Sequence, residues 1–352
     1  MKKIDLSITK TKLVTYSLFT LIFIVTSYLS VQFIQKHFSD GTSLITFKLL
    51  SPIMFLELVI LLILYFLLDA LRFLYVMKTL NLDVTLFYLV KLSFINMFLS
   101  NITPFATGGG FAQIYFLNKK DISIGDATSA TTIKTILAIV FFFVSTPIIL
   151  ITNKNFINIL SSSSNFIYSL AFIILYVLLV WGLYKAIKNT EIIKGYLSKV
   201  LTLLVHKRII SKVKAEKYRN DSFLAIDVFS LNIKRFVNGN KKNISLSIVF
   251  MILYLFTLFM FPVILIRGLN SSISTFLIIS IQILLTFVTY FAPTPGATGL
   301  AEGGFTLMFS AYVGKNDIVA LTFLWRFFTM YIGMIIGLII FYLEMIKKPS
   351  FH

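Results

Sequence analysis

The sequence predicts an all-α polytopic membrane protein with about six full transmembrane helices and two Pro/Gly-broken (re-entrant) segments that form inverted repeats. Three observations carry this. Of 352 residues, 58% are hydrophobic and 13% charged, with mean hydropathy +0.91, whereas soluble domains carry about 25% charged residues. Apolar stretches recur at membrane-spanning length. Two of them break near the middle with closely similar sequences. This composition excludes soluble catalytic folds, nucleic-acid modules and disordered scaffolds, and assigns the net charge of +18 to a membrane face.

In chain order, Lys2, Lys3, Lys10 and Lys12 precede an uncharged run from Leu13 to Ile34. A crossing needs about 20 residues, and with no small-residue cleavage pattern after it the run is read as an uncleaved first span. Further crossings are expected at Pro52 to Met77, Ile136 to Ile151, Phe166 to Tyr184, Ile244 to Ile266 and Ile318 to Leu343, all in one membrane domain, 1–352.

The two interrupted regions are Leu86 to Leu117, with NITPFATGGGFAQ at Asn101 to Gln113, and Ile273 to Val313, with APTPGATGLAEGG at Ala292 to Gly304. Pro and clustered Gly oppose a continuous helix, and irregular backbone at membrane depth must be buried in protein or line a cavity. At an offset of 191, Thr103, Pro104, Ala106, Thr107 and Gly108 fall on Thr294, Pro295, Ala297, Thr298 and Gly299. Paired interruptions of this kind point to a transporter binding site. They define repeat 1 at about 52–151 and repeat 2 at about 244–343.

With a cytoplasmic N-terminus and both broken regions read as hairpins, 23 basic residues fall inside, five outside and four within spans, in accord with the positive-inside rule. The two hairpins then enter from opposite faces. The stretch 189–243 alone carries 12 of the inner cations, mixed with Leu and Phe, and is expected to form a basic interfacial loop of amphipathic helix against anionic headgroups at the cytoplasmic face.

Seven charges fall in or beside apolar segments: Arg72, Lys91, Lys134, Arg326, Glu57, Asp69 and Glu302. A central charge costs about 2.5–3.5 kcal/mol on insertion scales, so each must pair, reach the interface or line a polar cavity. Asp69 and Arg72, at i, i+3, form a candidate structural pair. Lys91 and Lys134 can instead snorkel to the cytoplasmic interface. Glu302, the only charge between Arg267 and Lys315, can bridge to Arg326 or act in gating, proton coupling or headgroup contact. Gly108, Gly109, Gly110, Gly303 and Gly304 permit close approach and expose amides to phosphate or carboxylate, with helix packing as the alternative. No Walker loop follows them, and direct ATP drive is not expected. The chain has no cysteine and three scattered histidines, so neither a metal site nor any other cofactor is expected.

ALRFLYVMKTL at Ala70 to Leu80, NMFLSNITPFATGGGFAQIYFLNKKDISIGDA at Asn96 to Ala127, and FAPTPGATGLAEGGF at Phe291 to Phe305 followed by Arg326 carry a family resemblance. From about Asp69 to Tyr342 the chain resembles the flippase-like membrane family typified by the transmembrane flippase domain of bacterial lysylphosphatidylglycerol synthases. It departs at Gln113, where relatives commonly have Arg, and at Ile133 and Lys134, where many have an acidic-Arg pair. The aminoacyl-transferase domain of the two-part proteins has no counterpart in 1–352, so catalysis by this polypeptide alone is not expected.

The resulting expectation is a multi-pass protein of the cell membrane, with cytoplasmic termini, that translocates a phospholipid or polyprenyl-linked lipid through a polar groove. Arg72, Lys91, Gly108, Gly109, Gly110, Gln113, Lys134, Pro295, Gly296, Gly299, Glu302 and Arg326 are its candidate substrate-contacting residues, with no catalytic residue. The alternatives are the membrane subunit of an aminoacyl-phospholipid synthase system and a small-solute or ion transporter. No nucleic-acid partner is expected; a homo-oligomer is compatible with the sequence.

Overall fold

A computed structural model of the chain describes residues 51–152, 190–207, 210–269 and 273–346, with four isolated helical positions, Val25, Tyr28, Gln32 and Lys36. The expected crossings Leu13 to Ile34 and Phe166 to Tyr184 lie outside these continuous segments. The described residues are helical, without strands: α1 Pro52–Thr79, α2 Leu86–Ile102, α3 Thr107–Asn118, α4 Ile124–Thr152, α5 Thr190–His206, α6 Lys212–Asn238, α7 Lys241–Arg267, α8 Thr275–Thr289, α9 Leu300–Phe309, α10 Lys315–Arg326 and α11 Ile332–Ile346. Short 3-10 turns at Pro104–Ala106 and Pro295–Ala297 sit between α2 and α3 and between α8 and α9, and a π turn, Phe327–Tyr331, joins α10 to α11. Among the described residues, four stretches are long and apolar enough to cross a membrane: Pro52–Thr79, Ile124–Thr152, Lys241–Arg267 and Asp317–Ile346.

Local chemistry sets the helix starts. Ser51 accepts from the Met54 amide ahead of Pro52 in α1, Asn240 caps α7 and Ser274 caps α8, each satisfying an amide that lacks an intrahelical partner. The start of α4 departs from expectation by twelve residues, at Ile124 rather than Ile136. The polar run ATSATTIKT is helical, and its Thr128, Ser129, Thr132 and Thr135 hydroxyls are satisfied by donating to the carbonyls four residues back, a local bond that a helix interior tolerates. Lys134 therefore lies well inside the helix.

Long-range contacts orient the elements. At one end of the body, the near end, Gly239 packs on Thr79, Lys91 pairs with Glu344, and Asn232 donates to Asp126 and Ser129. At the far end, Arg267 lies 3.6 Å from Glu57, and Gly268 packs on Met54. Helix α1 thus runs far to near and α7, its most extensive partner, runs back. From the near end, α2 and α3 form an antiparallel hairpin: the Tyr88 hydroxyl at its start donates to the Phe116 carbonyl close to its end. From the far end, α8 and α9 form a second one, with Gly304 against Leu285. The two 3-10 turns at the tips touch one another. Helix α4 then leaves the near end, and α10–α11 returns to it. Helix–hairpin–helix units of opposite direction result.

Three apolar clusters hold these parts, one around the first hairpin with α1 and α11, one around the second with α1, α7 and α10, and one among α4, α7 and α8. Lipid is as apolar as these side chains, so association depends on close packing more than on expelling water. Gly337 of α11 illustrates it: a Cβ there would collide with the Phe94 carbonyl of α2.

Within 189–243, where amphipathic helix is expected, the described residues form α5 and α6. Lys194 joins them, 2.6 Å from Asp227 and 3.0 Å from Glu191. The hydrogen bond to Asp227, and then that to Glu191, raises its ammonium above the usual lysine range. Helix α6 also docks on α4 through Asn232, 1% exposed.

Candidate functional site

A charge in α1 would be unstable without partners, and the fold supplies three. Asp69 Oδ1 accepts from Arg72 Nε at 2.8 Å and Nη2 at 2.5 Å; Oδ2 accepts from Lys134 Nζ at 2.7 Å and Ser93 Oγ at 2.5 Å. One carboxylate faces two cations from α1 and α4, both less than a tenth exposed. Local helix spacing brings Arg72 to Asp69, whereas the crossing of α1, α2 and α4 brings Ser93 and Lys134. Of the two readings of Lys134, the interfacial one does not hold, since the residue is 4% exposed and its ammonium pairs with Asp69. Arg72 also lies 4.0 Å over the Tyr254 ring, and the Tyr254 and Tyr65 hydroxyls are 2.8 Å apart.

The second charged group sits at the other hairpin. Glu302, in the first turn of α9, accepts from the Gly299 amide through Oε2 and from Arg326 Nε through Oε1, both at 2.7 Å. Arg326 Nη2 donates to the Gly296 carbonyl at 2.9 Å. Gly299 stands at φ 89°, ψ −54°, a backbone open to glycine and costly for other residues. A carboxylate at the helix start both caps it and complements its dipole. Glu302 thus ties the break, the helix after it and Arg326 into one unit.

Between the two groups lies a cavity of about 470 Å³, within the range of small-molecule sites, about 300–1,000 Å³. Of the residues expected to touch substrate, Arg72, Gly110, Gln113, Lys134, Gly296 and Arg326 line it. Lys91, Gly108, Gly109, Pro295, Gly299 and Glu302 do not. Lys91 is 3.0 Å from Glu344 at the near end. The expected amide cradle at Gly108 to Gly110 is also reduced: the Gly108 amide donates to Thr103 Oγ1 at 2.8 Å, and Gly109 is wedged against Asn96 and Ser100. Only Gly110 of the three faces open space.

Five residues of the cavity lining each carry a buried polar atom with no hydrogen-bond partner among the described residues: Arg72 Nη1, Gln113 Nε2, Thr131 Oγ1, Gln282 Nε2 and Trp325 Nε1. Such atoms are uncommon in folded proteins and call for an explanation. Sequence reasoning missed Thr131, Gln282 and Trp325. Gln282 did leave a signal, as the one amide in the apolar run 275–289. Among the described residues there is no cluster of His, Asp and Glu able to hold a metal.

The model of the lysylphosphatidylglycerol synthase transmembrane region matches residues 18–337. A UPF0104 membrane protein of Archaeoglobus fulgidus is 26% identical over 291 residues, which cover 81% of this chain and 84% of that protein.

Proposed function

The chain belongs to the lysylphosphatidylglycerol synthase transmembrane-region family, and from that premise we propose that it is a lipid translocator. A phospholipid or polyprenyl-linked headgroup passes through the cavity between the hairpin tips while its acyl chains remain in the bilayer. The observation that carries this reading is the cavity's position, where hairpins running in from opposite ends meet beside buried Arg72, Lys134 and Arg326. Tips that meet from opposite sides suit alternating access, because movement of one unit against the other opens the same site to either face. The hairpins then act as re-entrant segments of inverted repeats, 52–151 and 244–343. Phe105, which lines the cavity and is 59% exposed, provides an apolar rim for an acyl chain.

The near end carries Lys78, Lys119, Lys120, Lys241 and Lys242 together with the cations of α5 and α6. By the positive-inside rule it is the cytoplasmic end of a cell-membrane protein with both termini inside, and α5 and α6 rest on anionic headgroups there.

Proteoliposomes carrying a fluorescent phosphatidylglycerol test the reading. Protein should accelerate leaflet exchange, and Arg326→Ala should slow it. Equal exchange with and without protein would sink it. Solute uptake by the same vesicles would favour a solute transporter; aminoacyl-lipid formed only with an added transferase and charged tRNA would favour a synthase subunit.

A further inference from the structure

The unpaired atoms of the cavity share one chemical property. Arg72 Nη1 and Trp325 Nε1 can only donate hydrogen bonds, Gln113 Nε2 and Gln282 Nε2 are amide donors, and Thr131 can donate through its hydroxyl. Gln113 is 2% and Gln282 1% exposed, so neither amide has bulk water as its partner. Rotation lets an amide present its oxygen instead, but the guanidinium and the indole have no such choice.

Neutral acceptors such as Asn96, Ser100, Asn101 and Thr107 stand on the lining, but anionic ones do not. No carboxylate lines the cavity among the described residues. Asp69, whose partners Arg72 and Lys134 are on the lining, already receives four donors, two on each oxygen, which fills a carboxylate's capacity of about four lone-pair sites. Glu302 is 2% exposed and turned to Arg326 and the Gly299 amide. Charge follows the same pattern: Arg326 is balanced by Glu302, but Arg72 and Lys134 share the single charge of Asp69. The cavity is one negative charge short.

We infer that this site selects an anionic headgroup free of amines, one that offers phosphate and hydroxyl oxygens, and that it discriminates against ammonium-bearing headgroups. An anion supplies both the missing charge and acceptors for the stranded donors. An ammonium would add a third positive charge beside Arg72 and Lys134 and find no free carboxylate. The inference rests on the translocator reading for the source of the anion, a lipid; the same chemistry is offered by free phosphate.

Binding is read apart from movement, using the purified full chain and its melting temperature against added ligand, since a ligand bound to the folded state raises that temperature with concentration. Four probes suffice: short-chain phosphatidylglycerol, phosphatidylethanolamine, the lysyl ester of phosphatidylglycerol, and inorganic phosphate. Phosphatidylglycerol should stabilise at the lowest concentration, and the two amine lipids should need about tenfold more or have no effect, the factor equal to about 1.4 kcal/mol. Gln113→Leu and Gln282→Leu remove amide nitrogens that hold nothing else in place, so the chain should still fold while phosphatidylglycerol binding weakens. Gln113→Glu should weaken it further and improve binding of the lysyl ester. Equal or stronger stabilisation of the unaltered chain by the amine lipids would overturn the inference, as would leucine variants that bind phosphatidylglycerol unchanged. Stabilisation by inorganic phosphate alone, lost in the leucine variants, would support anion selection and count against a lipid source. Selective phosphatidylglycerol binding without leaflet exchange would likewise support the inference and overturn translocation.

Discussion

The two hairpin tips share a backbone and differ in chemistry. At the 191-residue offset, Phe105 (φ 53°, ψ 23°) corresponds to Gly296 (φ 60°, ψ 17°), and Ala106 and Ala297 are both at φ 53°. Thr103 and Thr294 are both extended just before the turn. Beyond it the tips diverge. In the first, Thr103 Oγ1 caps the Gly108 amide, and the position matching Glu302 is Phe111, which is 72% exposed. In the second, Glu302 caps Gly299 and binds Arg326. The first helix–hairpin–helix unit carries its charges on the flanking helices instead, as Asp69, Arg72 and Lys134. A repeated skeleton thus holds a charge-balanced latch on one side and a cluster with surplus positive charge on the other.

Substitutions can break this contrast. The largest effect is expected from Asp69→Ala, because it strands two buried cations at once; losing one partner of a buried pair costs about 3–5 kcal/mol, so the melting temperature and the folded yield should fall most here. Glu302→Gln strands one cation and keeps an acceptor for Gly299. Its cost should be smaller, about 1.5–3 kcal/mol for a hydrogen bond to a charged group, and Arg326→Gln in the same background should restore part of it in a double-mutant cycle. If Glu302→Gln destabilised as much as Asp69→Ala, the assignment of surplus charge to the first unit would fail.

Backbone substitutions sharpen the shared part. Gly296→Ala should cost about 1–2 kcal/mol or less, the usual left-handed penalty, since Phe105 and Ala297 already adopt that conformation. Gly299→Ala should cost more, because φ 89° with ψ −54° lies outside the left-handed helical basin. Equal melting temperatures for the two alanine variants would show that the Gly299 backbone carries no strain beyond the left-handed penalty at Gly296. The smallest effect belongs to Lys91→Ala: its pair with Glu344 is partly exposed at the near end, and such pairs contribute about 0–1 kcal/mol.

Much of the fold was legible. The span lengths, the two breaks and their offset are local properties, and four expected crossings appear with shifted ends. The Asp69–Arg72 pair was readable because i, i+3 spacing fixes it within one helix. The bridge from Glu302 to Arg326 was one of two readings and became specific only in the structure. Lys134 had two readings, interfacial or substrate-contacting, and its pairing was not legible because its partner lies 65 residues earlier on another helix. The glycine run was only partly legible: sequence indicates that Gly108 to Gly110 permit close approach, but not that Gly109 packs while Gly110 faces the cavity.

By itself, the sequence determined the membrane class, the basic run of 189–243 and the paired interruptions, each of which follows from composition or from chemistry within a few residues. Tertiary structure decided which face of each helix meets the cavity. In a soluble protein amphipathic periodicity would have announced that face; here lipid and protein core are both apolar, so a helix such as α4 carries little polar stripe to mark its rotation. Only the crossing of α1, α4, α8 and α10 brings Arg72, Lys134, Gln282 and Arg326 around one space.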